Sequence, residues 1–206
     1  MGRQKSVLSC APWKMEVHRL AKTTEFLGTI RPMLEADLEM VREWRNAPEV
    51  RARMYTQHEI TPQEHLRWWQ SKSVSDLDRM FIYEWKKKPT GFVSFYDLNP
   101  RRLSGSWAFY ASPEASRGIG SRMEYLALNT FFDDLRYRKL KCEVLSSNPA
   151  VVSLHKKHGF VEEGLLRAEH PNNQGFEDIH LLAIFADDWM VRRQSIIERL
   201  KNQRQQ

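Results

Sequence analysis

From Phe26 onward the hydrophobic positions switch repeatedly between a spacing of two and a spacing of three to four, the signatures of strand and helix. Phe26-Leu-Gly-Thr-Ile-Arg-Pro32 predicts a first strand, and Leu34, Leu38, Val41 and Trp44 mark one face of a helix ending near Asn46. Thr61-Pro-Gln-Glu64 is a capping box with proline at the first helical position, opening a second helix that carries His65, Leu66, Trp68 and Trp69. Met80 to Lys86 and Gly91 to Leu98 predict a hairpin around the solvated tip Lys86-Lys-Lys-Pro-Thr-Gly91. Next comes a strand at Ser104 to Ala111, where small or polar residues alternate with aromatics, and a long helix over 118–135 with Ile119, Met123, Leu126 and Thr130 on one face. A strand at 139–145, a helix at 149–158, strands at 160–169 and 176–186 around the turn Pro171-Asn-Asn-Gln-Gly175, and a helix from Asp187 complete the order. The sum is an α/β (α+β) architecture, a mixed central sheet of about seven strands flanked by helices.

Composition narrows the class. A chain of 206 residues, 41% of them apolar, supports one domain over residues 26–206. Residues 1–25 read as a disordered extension: they are poor in acid, with Glu16 the first carboxylate, and hold no secretory apolar core. No apolar stretch exceeds strand length, so no membrane partner is expected. Cys10 and Cys142 lie far apart, which points to a reducing cytoplasm and gives no support for a disulfide framework or a metal site. The net charge of +6 suits nucleic acid and equally suits an anionic nucleotide ligand. No interleaved basic and aromatic stripe accompanies it, so a small molecule is the expected partner and nucleic acid is not. Either a monomer or a homodimer is compatible with these properties.

Two segments carry the chemistry. Ser112-Pro-Glu-Ala-Ser-Arg-Gly-Ile-Gly-Ser-Arg122 joins a strand to a helix through two glycines, where first-turn amides are open to an anion, although plain turn chemistry accounts for the glycines equally well. Asn148-Pro-Ala-Val-Val-Ser-Leu-His-Lys-Lys-His-Gly-Phe160 is a short helix with a proline start and a glycine stop. Together they resemble the GCN5-related N-acetyltransferase superfamily, whose cofactor turn reads Arg/Gln-x-x-Gly-x-Gly/Ala and whose next motif reads Asn-x-x-Ala-Ile-x-Leu-Tyr-x-Lys-x-Gly-Phe. The resemblance implies acetyl-CoA lying along Phe109, Tyr110 and Ala111, over Ser116, Arg117, Gly118, Ile119, Gly120 and Ser121, and beside Asn148, His155 and Lys157. Ala115 stands where the family has Arg or Gln, with Arg117 and Arg122 as replacement charges. His155 stands where the family has the tyrosine proposed to protonate the departing thiolate.

Ile30 to Leu38, Glu43 to Arg51, Met54 to Thr61, Glu64 to Trp69 and Ser106-Trp-Ala-Phe-Tyr110 resemble one subgroup of that superfamily. Its members acetylate the 4-amino group of a UDP-linked 4-amino-4,6-dideoxy sugar in pseudaminic acid biosynthesis, which serves flagellin glycosylation. That resemblance implies an acceptor pocket walled by Met54, Tyr55, Trp68, Trp69 and Trp107, with Arg45 and His65 on the diphosphate or ring oxygens. Core packing explains the aromatics equally well, and His58 and His65 fit structural roles. Transfer by direct amine attack needs an oxyanion stabiliser, for which the family implies the backbone near Tyr110, and a proton for sulfur. Asp97 and Glu84 are the carboxylates available as a base, and water or a backbone carbonyl serves as well. An imidazolium at His155 is a competent donor, while His155 and His158 also suit the negative end of a helix dipole. A protein N-terminal acetyltransferase of the ribosomal-protein type and an idle cofactor-binding module are the alternatives.

Overall fold

A computed structural model describes residues 26–172 and 175–202. The extension expected over residues 1–25 lies outside the described residues, as do Asn173 and Gln174 of the expected turn. Strands β1 (Thr29–Pro32), β2 (Arg79–Trp85), β3 (Lys88–Asn99), β4 (Ser104–Ala111), β5 (Lys139–Leu145), β6 (Val161–Asn172) and β7 (Gly175–Phe185) form one mixed sheet in the order β1-β2-β3-β4-β5-β7-β6. The helices are α1 (Leu38–Asn46), α2 (Pro48–Arg51), α3 (Pro62–Lys72), α4 (Ile119–Asn129), α5 (Pro149–His158) and α6 (Ala186–Asn202). The expected seven-stranded mixed sheet with flanking helices is the architecture found. No helix among the described residues is long and apolar enough to cross a membrane.

Alternation along the central strands builds two cores. On β2, Phe81 and Tyr83 join the cluster that holds Met123, Leu128, Phe131 and Trp189 of the α4 and α6 layer. Met80 and Ile82 point the other way, to Val41 of α1, Trp69 of α3 and Phe92. Trp107 and Trp189 are among the largest side chains with almost no exposure, and the Trp189 indole donates to Asn129 Oδ1 at 3.0 Å. Burying one such ring contributes about 1.5–3 kcal/mol, so these two anchor the larger core.

Local departures from the sequence reading have plain causes. The first strand starts at Thr29 because Gly28 turns the chain at a φ of +80°, and the Tyr83 hydroxyl donates to Leu27 O at 2.7 Å. The helix expected over 118–135 is α-helical only to Asn129, and Thr130–Asp134 widens into a π-turn. A four-residue helix, Pro48–Arg51, sits between the two helices expected from sequence. Glu84, one of the two carboxylates weighed as a base, accepts from Arg31 Nε at 2.7 Å, while Asp37 takes the other end of that guanidinium at 2.7 and 2.9 Å. Burial opposes charge on Asp37, yet Arg31 and the Leu34 amide hold it below the usual carboxylate range.

Gly159 ends α5 at a φ of +105°, and a Cβ there meets Arg192 Cδ at 2.6 Å. An L-residue in that conformation costs about 1–2 kcal/mol. Gly159→Ala is expected to lower the unfolding free energy by that amount, read in equilibrium urea denaturation as a lower midpoint at unchanged slope.

Candidate active site

The site begins as a failure of strand pairing. β4 and β5 are the sheet's one parallel neighbouring pair, and they register only at Ser104↔Lys139, Gly105↔Leu140 and Ser106↔Lys141. Beyond that point each strand follows its other neighbour: β4 stays with β3 as far as Ala111↔Gly91, and β5 stays with β7 as far as Leu145↔Ile179. The two diverge from Trp107 and Cys142 onward and open a cavity of about 440 Å³. Its walls are Trp107 to Ala111 of β4, Cys142 to Leu145 of β5, Asn148, Val151, Leu154 and His155 of α5, and Val50, Met54 and Tyr55 from α2 and the segment after it.

The turn into α4 adjoins the cavity. Gly118 takes a φ of +88°, no side chain caps the helix, and no acidic residue occupies its first turn. Gly120 faces the cavity, and a Cβ there meets only Leu154 at 3.5 Å and Phe109 at 3.9 Å. The protein itself therefore has no steric need for glycine at 120, whereas a pyrophosphate passing close to the backbone does. The turn is open to an anion there.

His155 is buried and also lines the cavity. Rings of Trp107, Phe109 and Phe160 surround it at 5.3, 5.7 and 4.8 Å. Its Nδ1 lies 2.8 Å from Oε1 of Glu124, a carboxylate on α4 with no solvent exposure. Burial alone disfavours the imidazolium, but Glu124 and the neighbouring Cys142 outweigh it and push His155 up to about 10. The ring is thus positively charged at neutral pH.

The structure distributes the expected residues unevenly. Phe109, Tyr110, Ala111, Gly120, Asn148, His155, Met54, Tyr55 and Trp107 converge on the cavity. Gly118 shapes the turn, and Ser116 and Arg117 are exposed beside it. The Ile119 side chain is buried in the core, the Ser121 hydroxyl lies 3.3 Å from His158 Nε2, and Lys157 lines a shallow surface pocket on the outer side of α5. Arg122 points away, donating to Phe26 O at 3.1 Å and covering the Trp85 ring. Asp97 is exposed at a bulge with a φ of +52°, off the cavity wall. His65, buried, stacks on Trp68, which meets Phe92 edge-on, and Phe92 meets Tyr110; these rings back the wall, while Trp69 belongs to the second core. Arg45 donates to Thr56 O at 2.8 Å, its other terminal nitrogen is buried without a hydrogen-bond partner, and it couples electrostatically to Tyr110.

Cys142, Glu143, Glu49, Arg53 and Tyr96 line the cavity without having been singled out from sequence. Burial pushes the Tyr96 phenol up to about 12. Two bridges cross the mouth: Arg53 donates to Ser147 O, and the Tyr55 hydroxyl donates to Glu143 Oε2 at 2.5 Å. Glu124 was legible only as one carboxylate in the otherwise apolar run from Met123 to Leu128.

A sheet that opens its parallel pair, with a glycine turn and a buried histidine on the wall of the gap, has room for an extended, anionic ligand. Residues 29–161 match the model for the acetyltransferase (GNAT) domain, and the chain belongs to that family of acetyl-CoA-dependent N-acetyltransferases. Among relatives, the SPbeta prophage-derived uncharacterized N-acetyltransferase YokL of Bacillus subtilis is 29% identical over 48% of this chain, a match that spans 57% of YokL's own length. Acetyltransferase PseH of Campylobacter jejuni is 23% identical over 60% of this chain and 76% of its own. The Escherichia coli spermidine N(1)-acetyltransferase is 24% identical over 81% and 90%. The Vibrio cholerae spermidine N-acetyltransferase, solved with CoA and spermine, superposes with a TM-score of 0.74 at 24% identity, covering 79% of this chain and 97% of that one, which shows the shared fold.

Gly120→Ala is expected to raise KM for acetyl-CoA about tenfold, while thermal stability holds or rises because alanine is the better helix former. Thermal melts beside steady-state kinetics check both halves.

Proposed function

We propose that the protein moves acetyl from acetyl-CoA to the 4-amino group of a UDP-linked 4-amino-4,6-dideoxy sugar, by direct attack of the amine. The observation that carries this reading is the acceptor side of the cavity. Val50, Met54, Tyr55 and Tyr110 give a mostly apolar and aromatic surface suited to a 6-methyl group and a flat base. Beside it, the buried unpartnered nitrogen of Arg45 is suited to a phosphate oxygen. The likeness to PseH and the sequence motifs of the subgroup support the same choice. A reducing cytoplasm suits both the nucleotide sugar and the free thiol of Cys142.

Acetyl-CoA supplies an activated acyl thioester. The edge of β4 that β5 leaves unpaired presents its backbone near Tyr110 to the thioester carbonyl and polarises it. An amine beside ring oxygens is less basic than lysine, so water removes its proton without a dedicated side chain. His155 gives its proton to the departing sulfur. The apolar walls limit water, and hence hydrolysis, during transfer.

A second reading, acetylation of a polyamine, is favoured by Glu49 and Glu143 on the cavity wall, where they suit a cationic chain, and by the spermidine-acetylating relatives. Against it, Glu143 is already engaged by Tyr55, and Arg51 and Arg53 adjoin the same mouth. Thiol release from acetyl-CoA is to be measured with the UDP-linked amino sugar, with spermidine and with a ribosomal-protein N-terminal peptide. Preference for the sugar by about a hundredfold in kcat/KM is expected, and Arg45→Met should raise KM for the sugar at least about tenfold without moving KM for acetyl-CoA. Turnover confined to spermidine or to the peptide overturns the sugar reading.

A further inference from the structure

Glu124 is fully buried, and its partners are unusual for a buried carboxylate. No lysine or arginine pairs with it among the described residues. Oε1 takes His155 Nδ1 at 2.8 Å, and Oε2 makes no hydrogen bond, lying 3.4 Å from His158 Nδ1. His158 is held in turn by Leu154 O at 3.0 Å and Ser121 O at 3.2 Å. Around this point α4 packs through Met123, Tyr125, Ala127 and Leu128. A carboxylate taken out of water among such neighbours carries a desolvation penalty that one well-made hydrogen bond does not fully offset. Replacing a buried ion pair of this kind by apolar side chains of similar volume is often neutral or stabilising, so fold stability gives no reason for Glu124. Its nearest chemical neighbour is the one histidine that lines the cavity.

We propose that Glu124 is the positioning residue of the proton donor: it binds the Nδ1–H of His155 and keeps the ring protonated, so that the opposite nitrogen carries a proton toward the leaving sulfur. The proposal rests on the reading that His155 is the donor. In the transfer step, the N–H bond of the imidazolium breaks and an S–H bond forms as the carbon–sulfur bond cleaves. The ring is left neutral, Glu124 stays ionised, and solvent returns the proton after the thiol departs. Every titratable group packed against the ring bears on its charge: Glu124 from α4, Cys142 from β5 and His158 from α5 itself. The Trp107, Phe109 and Phe160 rings enclose it without adding charge. With Glu124 ionised, the ring stays charged up to about pH 10. Without that charge, Cys142 alone is left to oppose burial, and the ring gives up its proton at a lower pH.

Glu124→Gln keeps the shape and removes the charge. Two readouts apply: the pH profile of kcat with acetyl-CoA and the acceptor that turns over, and NMR titration of histidine rings in the full-length protein, with His155 assigned through His155→Gln. The expected result is a kcat about a hundredfold lower near pH 8, its alkaline limb moved below about pH 7, and an unchanged KM for acetyl-CoA. His155 should then titrate well below its value in the unaltered protein, and the double variant should be no slower than His155→Gln alone. An equal loss at every pH, an additive loss in the double variant, or an unmoved His155 titration overturns the role of Glu124. A His155→Gln variant with undiminished kcat overturns the donor reading instead, and so the two failures are told apart. Should Glu124→Gln not fold, titration of the unaltered protein decides: a His155 that turns neutral below about pH 8 overturns the proposal, and one still charged there upholds it.

Discussion

Everything at this site depends on two neighbouring strands that stop hydrogen-bonding after three residues. β4 and β5 are each committed on their far sides, to β3 and β7, and cannot close the gap between them. Backbone groups left unpaired in the interior of a sheet are normally expensive, because each strand edge there has lost its partner. An extended ligand with amide groups of its own is chemically suited to relieve that deficit. The fold supplies this opening, and α4 and α5 decorate it with an anion turn and a charged ring.

The sequence made most of the scaffold readable because strand alternation and helix caps are local. Thr61 to Glu64 forms the capping box expected of it, with Thr61 Oγ accepting from the Glu64 amide at 3.2 Å. Pro48–Arg51 escaped notice because four residues cannot display a helical period. The π-turn at Thr130–Asp134 escaped because the apolar rhythm of the helix continues through it. In the site, the glycine turn and the α5 motif led to Gly120, Asn148 and His155, all of which face the cavity. The partnership of Glu124 with His155 spans 31 positions and exists only once α4 and α5 pack together, so spacing along the chain does not reveal it. Cys142 read only as a lone cysteine far from Cys10, and the divergence of β4 makes its side chain part of the cavity wall. His65 and Trp68 show the converse: they stack against each other behind Tyr110 and shape the wall from the second row.

Positive charge reaches the cavity by two different means. At the turn into α4 it comes from backbone dipoles with no acidic side chain in the helix's first turn, and that contribution does not change with pH. At His155 it comes from a proton that Glu124 and Cys142 help to retain. The first arrangement suits permanent binding of phosphate oxygens. The second suits a group that must give its charge away and recover it once per turnover.

The two bridges across the mouth carry an energetic meaning. Arg53 and Tyr55 reach residues 94 and 88 positions further along the chain, yet both contacts are exposed to solvent. Exposed contacts of this kind contribute only about 0.5–1.5 kcal/mol each, little more than thermal energy. The segment carrying them is therefore held over the cavity by contacts far weaker than the strand ladders on either side of it, so parting it from β5 costs little beside parting the sheet.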